Sequence, residues 1–426
     1  MAGADRLETA QQGYDMTDKA TSGSRQNELM GGLSMTRRDV WRGAGLATTV
    51  GLVSSLGSLS SSAHAQTGTD HPGYDPATPG PGAKTAADYP VSPLMIKLSA
   101  YISGAHEQEL PAQVVEKTKW HILDSLAAIT VGSQLPAGQV CRTFARDNGG
   151  KPVSTVIGGA TACDPMTAAM LNGTMGHSHE ADDTGGSAGP WHPGINVIPA
   201  ALALGEQFGT SGTHFLRAVT LGYDIGGRMG NAAGLLRNFR TPTVSVCGYF
   251  GAAAAAANIA GLSPEQVRTA LSYTAQQSSG VDSFRRDPDH IEKGFLNGGV
   301  GARGGVTSAL LVKAGFTGVH DIFSGPANFF ALFRAAGLSV EPELLVTDLG
   351  SRYDVMAANF KRRPVAGAIS AVLDSLEALI ARETIDPDQI RDIVIRYEPH
   401  SVTDNGGPVD VNMQLVCPHR VDRLVC

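Results

Sequence analysis

The chain has 426 residues, of which 42% are hydrophobic and 17% charged, with a net charge of −7. This is enough for two domains and a large core, and it excludes a disordered chain. No basic stripe or aromatic-interleaved basic run is present, so no nucleic-acid partner is implied. A mildly acidic protein still binds anions through a local cluster of Lys, Arg and His.

The 52 glycines stand well above the usual share of about 7%. Many lie beside alanines in apolar runs such as 248–262, which reads as closely packed helices. The five cysteines form no C-x-x-C pair and their number is odd. Zinc ribbons, iron–sulfur clusters and a disulfide framework are therefore unsupported, and isolated structural thiols are the reading.

In chain order, residues 1–34 form a polar extension without periodicity. Residues 35–65 read as a twin-arginine-type export signal. Arg37-Arg38 is the basic part, Ala44–Leu59 the apolar part, and Ala63-His64-Ala65 the small-residue exit. The apolar part is too short and too rich in Gly and Ser for a stable membrane span, so an exported, periplasmic protein is expected. Residues 66–92, with repeated Pro, Gly and Thr, read as a flexible linker.

From Pro93 the pattern is helical. Pro111 suits a first helical residue, and Val114, Val115, Ile122, Leu123, Leu126 and Ile129 recur at helical spacing. Asp164-Pro165 and Ser263-Pro264-Glu265 are start signals, predicting helices over 164–172 and 264–276. Further helices are expected over 195–208, 214–228, 248–259, 306–314 and 365–381. A turn is expected at Asp386-Pro387-Asp388, and a strand at 392–397, where β-branched residues gather. No dinucleotide fingerprint or P-loop occurs. The expected fold is mainly α: a large helical domain over 93–355, then a smaller α+β domain over 356–426.

The chemistry concentrates in 172–194. His177, His179 and His192 lie with Glu180, Asp182, Asp183 and Thr184 in one short span that follows a helix and ends in a Gly-rich loop. Acid–base catalysis wants such a set, with one group to take a proton and another to give it. His177-x-His179 with Asp182 or Asp183 has a superficial likeness to metallohydrolase motifs. The spacing does not fit them and no second ligand cluster follows, so no metal and no other cofactor is expected.

Asn172–Thr184, the His192-Pro193-Gly194 turn and Pro199–Glu206, with the runs 250–257, 290–295, 302–318 and 360–364, resemble the MmgE/PrpD family over about 93–414. That family includes 2-methylcitrate dehydratases, cis-aconitate decarboxylases and iminodisuccinate epimerases. The resemblance implies a metal-free homodimer with its active site between a helical domain and a smaller lid. It also implies a small polycarboxylate substrate. Carried over by position, Glu180, Thr184, His192, Lys293 and Lys361 fall at catalytic places, and His177 joins them from the local cluster. Asp183, Arg303, Arg362 and His400 are expected to bind substrate. His177 or Glu180 would be the base, while Lys293, Lys361 and protonated His192 would stabilise the charge that builds on a substrate carboxylate.

Three departures stand out. The decarboxylase members carry a His before the Gly-Ala-Ala run, where this chain has Phe239-Arg240-Thr241-Pro242-Thr243. A Tyr expected after the lid strand is replaced by His400-Ser401-Val402. After Gln414 the chain follows no family pattern, so a truncated, incomplete lid is expected. A hydro-lyase of the 2-methylcitrate dehydratase type is the leading expectation. An epimerase of an imino- or amino-dicarboxylate, or an inactive ligand-binding remnant, are the alternatives.

Overall fold

A computed structural model describes residues 89–391, apart from 160, 188–190, 236–242 and 366. These residues all belong to one unit, which begins at Asp75. The export signal, the linker before residue 89, the strand at 392–397, His400 and the chain after Gln414 lie outside the described residues.

The architecture is mainly α, as expected. The helices are α1 (Pro93–Gly104), α2 (Ala112–Gly132) and α3 (Pro136–Asn148), then α4 (Pro165–Gly176), α5 (Pro193–Phe208), α6 (Gly212–Ala232), α7 (Thr243–Ile259) and α8 (Pro264–Gln277). A short α9 (Ile291–Gly294) passes through a π-helical turn (Phe295–Gly299) into α10 (Val300–Lys313). α11 (Phe329–Ala335) and α12 (Gly367–Ile380) follow. Proline opens α1, α3, α4, α5 and α8, where its missing N–H costs nothing. Ser263 and Gln266 cap α8 reciprocally.

The described strands are two-residue pairs. β1 (Ser154–Thr155) pairs antiparallel with β2 (Ala162–Cys163). β3 (Thr184–Gly185) pairs antiparallel with β4 (Ala358–Asn359), joining parts of the chain far apart in sequence. That clasp delivers the residues just after β4 to those just before β3.

The core is built around α7, whose buried run Ala252–Ala257 packs among α5, α6 and α10. Small side chains permit this crowding. A β-carbon at Gly222 would come within 2.9 Å of the Gly251 carbonyl oxygen, so α6 and α7 cross nearly backbone to backbone.

Several boundaries differ from expectation. Pro111 is the cap before α2, not its first residue. The predicted 306–314 helix begins at Val300, because the π-turn carries the chain into it unbroken. The turn at 386–388 tightens into a 3-10 turn over Pro387–Gln389.

The largest difference lies in α2. Thr118, His121 and Ser125 are buried with Val114, Ala128 and Ile129, whereas Leu123 is 57% exposed. The helix turns a polar face inward because that face borders the polar cluster described next. Among the described residues, no helix is long and apolar enough to cross a membrane. Cys141, Cys163 and Cys247 are buried and unpaired, and burial pushes the Cys141 thiol up to about 11.

Candidate active site

The Asp164 side chain caps α4 by accepting from the N–H groups of Met166 and Thr167. At the other end α4 is all but bare. A β-carbon at Gly173 would come within 2.8 Å of the Gly298 carbonyl, so α4 touches the π-turn through backbone. This contact sets His177, at the end of α4, beside Asn297 of the π-turn. Asn297 Nδ2 donates to His177 Nε2 at 2.8 Å. His177 Nδ1 lies 3.0 Å from Asp182 Oδ1 and donates to it. Both ring nitrogens are thus engaged in the neutral form. Burial pushes the imidazole down to about 3, against the opposing pull of Asp182 and Glu180.

Glu180 is the hub. Its backbone is left-handed at φ 58°, a conformation that costs a non-glycine residue about 1–3 kcal/mol. Its carboxylate is buried and accepts from Lys293 Nζ on Oε1 and, at 2.8 Å, from Lys361 Nζ on Oε2. His290 Nε2 lies 3.0 Å from Oε1. His290 is itself left-handed at φ 60°, so two strained residues meet in one hydrogen bond. Burial alone would raise the Glu180 carboxyl. Lys361, His290 and Lys293 together outweigh it and hold Glu180 well below the carboxylate range.

Asp182 is the second centre. Besides His177 it lies 2.9 Å from His192 Nδ1 and 3.8 Å from Lys361 Nζ. His192 Nδ1 also donates to the Asp183 main-chain oxygen at 3.1 Å. His177, Lys361 and His192 hold Asp182 well below its usual range despite the opposing effect of burial. Lys361 is raised: its carboxylate partners, Asp182 first, overcome its desolvation. The β3–β4 clasp brings Lys361 here, and Phe360 locks the segment by stacking on His121 of α2 at 4.2 Å. His192 Nδ1 is fixed from two sides, whereas the outward Nε2 carries no hydrogen bond among the described residues. The His192 side chain is 13% exposed and Lys293 21%, so these two form the open edge of the cluster.

The structure therefore gathers His177, Glu180, His192, Lys293 and Lys361. Thr184 lies at the rim in β3, its hydroxyl 3.4 Å from the Trp191 carbonyl. Asp183 does not face the cluster. It is fully buried and accepts from His121 Nδ1 and the Tyr223 hydroxyl, both at 2.7 Å, and from Gly194 N–H at 2.8 Å. These donors stand between it and any substrate group.

Arg303 sits on the exposed side of α10 with its guanidinium against Met170 Sδ. Arg362 is 74% exposed and pairs with Glu377 and Asp374 of α12. It follows Lys361 directly, where the chain bends after β4. Neither arginine joins the cluster.

Sequence reasoning left Asp182, His290 and Asn297 off the site. Asp182 and His290 stood inside the motifs already singled out, so the signal was present. Asn297 gave none, because its partner His177 is 120 positions away.

His177, Glu180 and His290, and likewise His177, Asp182 and His192, bring donor atoms within 4.8 Å of one another, as metal ligands do. The carboxylate oxygens of Glu180 are already engaged by two ammonium groups and an imidazole. The arrangement reads as an acid–base cluster.

The MmgE/PrpD N-terminal domain matches residues 96–338, over half of the chain, and the chain belongs to that family. Similar curated proteins include a cis-aconitate decarboxylase-like protein, oryM, of Aspergillus oryzae, 27% identical over 66% of this chain and 61% of its own. The cis-aconitate decarboxylase of Aspergillus terreus is 28% identical over 66% and 59% respectively. That of Homo sapiens is 28% identical over 69% and 62%. The chain spans about three-fifths of the length of these relatives.

Proposed function

We propose that this chain is a cofactor-independent lyase of the hydro-lyase type, acting on a small hydroxy-polycarboxylate such as 2-methylcitrate. One observation carries the reading. Two lysines and a histidine converge on a single buried carboxylate, beside a second histidine whose inner nitrogen lies against Asp182 and whose outer nitrogen is unengaged among the described residues.

Taking a proton from the carbon next to a carboxylate builds negative charge on that carboxylate, and preorganised cations in a water-poor site stabilise it. His192 Nε2 takes the proton. The Asp183 carbonyl accepts from Nδ1–H, with the Asp182 carboxylate close beside it, and this fixes the tautomer that leaves Nε2 basic. His177 would have to leave Asn297 first. Lys361 stabilises the developing charge, and Lys293, at the open edge, gives its proton to the departing hydroxide so that water leaves.

Decarboxylation is the second reading, favoured by the activity named in the relatives. The same lysines would hold the carboxylates while carbon dioxide departs, leaving its electron pair on the carbon, and His192, protonated at the outset, would give that carbon a proton. The absence of His from 239–243 weighs against it. A homodimer exported through the twin-arginine-type segment belongs to the same proposal.

The test is NMR of citrate, 2-methylcitrate, cis-aconitate, malate and iminodisuccinate with the protein in heavy water, each run with and without a chelator. Loss of water with deuterium exchange next to a carboxylate supports the hydro-lyase. Release of carbon dioxide selects the decarboxylase, and exchange with inversion alone an epimerase. Exchange abolished by the chelator would overturn the metal-free reading, and no exchange on any compound would overturn catalysis.

A further inference from the structure

We infer that Glu180 is a built-in occupant of the subsite that receives a substrate carboxylate, displaced when the substrate enters. The inference rests on the reading of the cluster as a polycarboxylate site.

The charge balance motivates it. Around Glu180 the described ionised groups are Lys293 on α9, Lys361 after β4 and Asp182 after α4, with the imidazoles of His177, His192 and His290. Two ammonium groups face two carboxylates. As it stands the cluster has no surplus lysine charge with which to hold a polyanion. Three cation or N–H donors nevertheless converge on the Glu180 carboxylate in the manner of a carboxylate-binding site: Lys293 and His290 on one oxygen and Lys361 on the other.

The backbone supports the same reading. Glu180 is held in a left-handed conformation that glycine adopts freely, so the segment carries strain that a backbone shift accompanying its displacement would relieve. Lys293, one of the three donors, stands at the open edge of the cluster. An incoming carboxylate can therefore meet it from outside, exchange for Glu180 oxygen by oxygen, and leave the total charge around the lysines unchanged.

Glu180→Gly tests this directly, because the substitution empties the subsite and suits the local backbone. Glu180→Gln, nearly the same shape, guards against misfolding of the first variant. Thermal unfolding is followed with acetate as an external carboxylate. Calorimetry then measures binding of propane-1,2,3-tricarboxylate, a saturated tricarboxylate with no hydroxyl to lose.

Acetate is expected to raise the Tm of Glu180→Gly and to leave the wild type unchanged. The tricarboxylate is expected to bind the glycine variant about tenfold or more tighter than the wild type, with Glu180→Gln between them. A glycine variant indifferent to acetate, with tricarboxylate affinity no tighter than wild type, overturns the inference and makes Glu180 a fixed part of the scaffold. Acetate rescue with no tricarboxylate binding by any form supports the subsite but overturns the polycarboxylate function.

Discussion

Asp182 and Asp183 are consecutive in the chain and equally buried, yet they serve two different polar networks. Asp183 faces α2 and α6, where His121, Tyr223 and the first turn of α5 donate to it. Asp182 faces Lys361 and shares its oxygens with two imidazoles, one of them partly exposed. The first network is sealed, with His121, Asp183 and Tyr223 all fully buried. The second has, among the described residues, an unengaged nitrogen on a partly exposed ring and a partly exposed ammonium at its edge. A buried polar network can thus be a brace or a reaction site, and what separates them is whether a ligand can reach its groups.

The sharpest way to break this contrast is Lys361→Met. It leaves Glu180 and Asp182 buried with one ammonium fewer, and breaking such a group costs about 3–5 kcal/mol. Urea unfolding should show that loss and turnover should vanish. A cost below about 1 kcal/mol would mean that the lysine is not integral to the cluster.

Next comes a matched pair. His192→Asn should lower kcat/KM about 10²–10⁴-fold, the usual worth of a general base, with little change in unfolding free energy. His121→Asn should do the reverse, costing about 1.5–3 kcal/mol of stability through its lost bond to a carboxylate while kcat falls less than tenfold. Equal effects of the two on kcat would erase the distinction between brace and reaction site.

Acid titration separates the two networks further. His177 is pushed down to about 3 from its ordinary 6.5. The unfolded chain therefore takes up a proton that the folded chain refuses, so the stability this group contributes is present above about 6.5 and is lost as pH falls toward 3. His177→Gln should flatten that limb of the stability curve.

Asp124 behaves in the opposite sense. Burial first, and then Asp183, raise it to about 6. The folded chain keeps this proton longer than the unfolded chain, so folding is favoured at low pH and weakened as pH rises from about 4 through 6. Asp124→Asn should raise Tm at pH 8 and change it little at pH 4. The smallest effect belongs to Arg362→Ala, an exposed pair worth less than about 1 kcal/mol, with unchanged turnover.

These contrasts explain what was legible in the sequence. Helix starts were legible because proline and a capping side chain act locally: Asp164 and Ser263 mark α4 and α8 without reference to the rest of the chain. The inward face of α2 was not. Its apolar spacing predicts Leu123 inside, whereas the side that is buried is chosen by Asp183, a partner 62 positions from His121.

The site was legible where the chemistry lies in one run or in family-matched motifs, as with Glu180, His192 and Lys361. It was illegible where neighbours in irregular chain part company. Lys361 turns in and Arg362 turns out, and Asp182 and Asp183 join different networks. Asn297 became visible only once the π-turn was known to lie against α4.

That contact between α4 and the π-turn bears on how the protein tolerates inherited change. Gly173 and Gly298 touch no reacting group, yet the meeting of His177 with Asn297 depends on the absence of a single methyl at each. A mutational screen scored only on acids, bases and lysines would pass over both positions. A variant altered at either would keep the whole set of chemical side chains and still lose their alignment, so its lesion would be one of spacing rather than of chemistry.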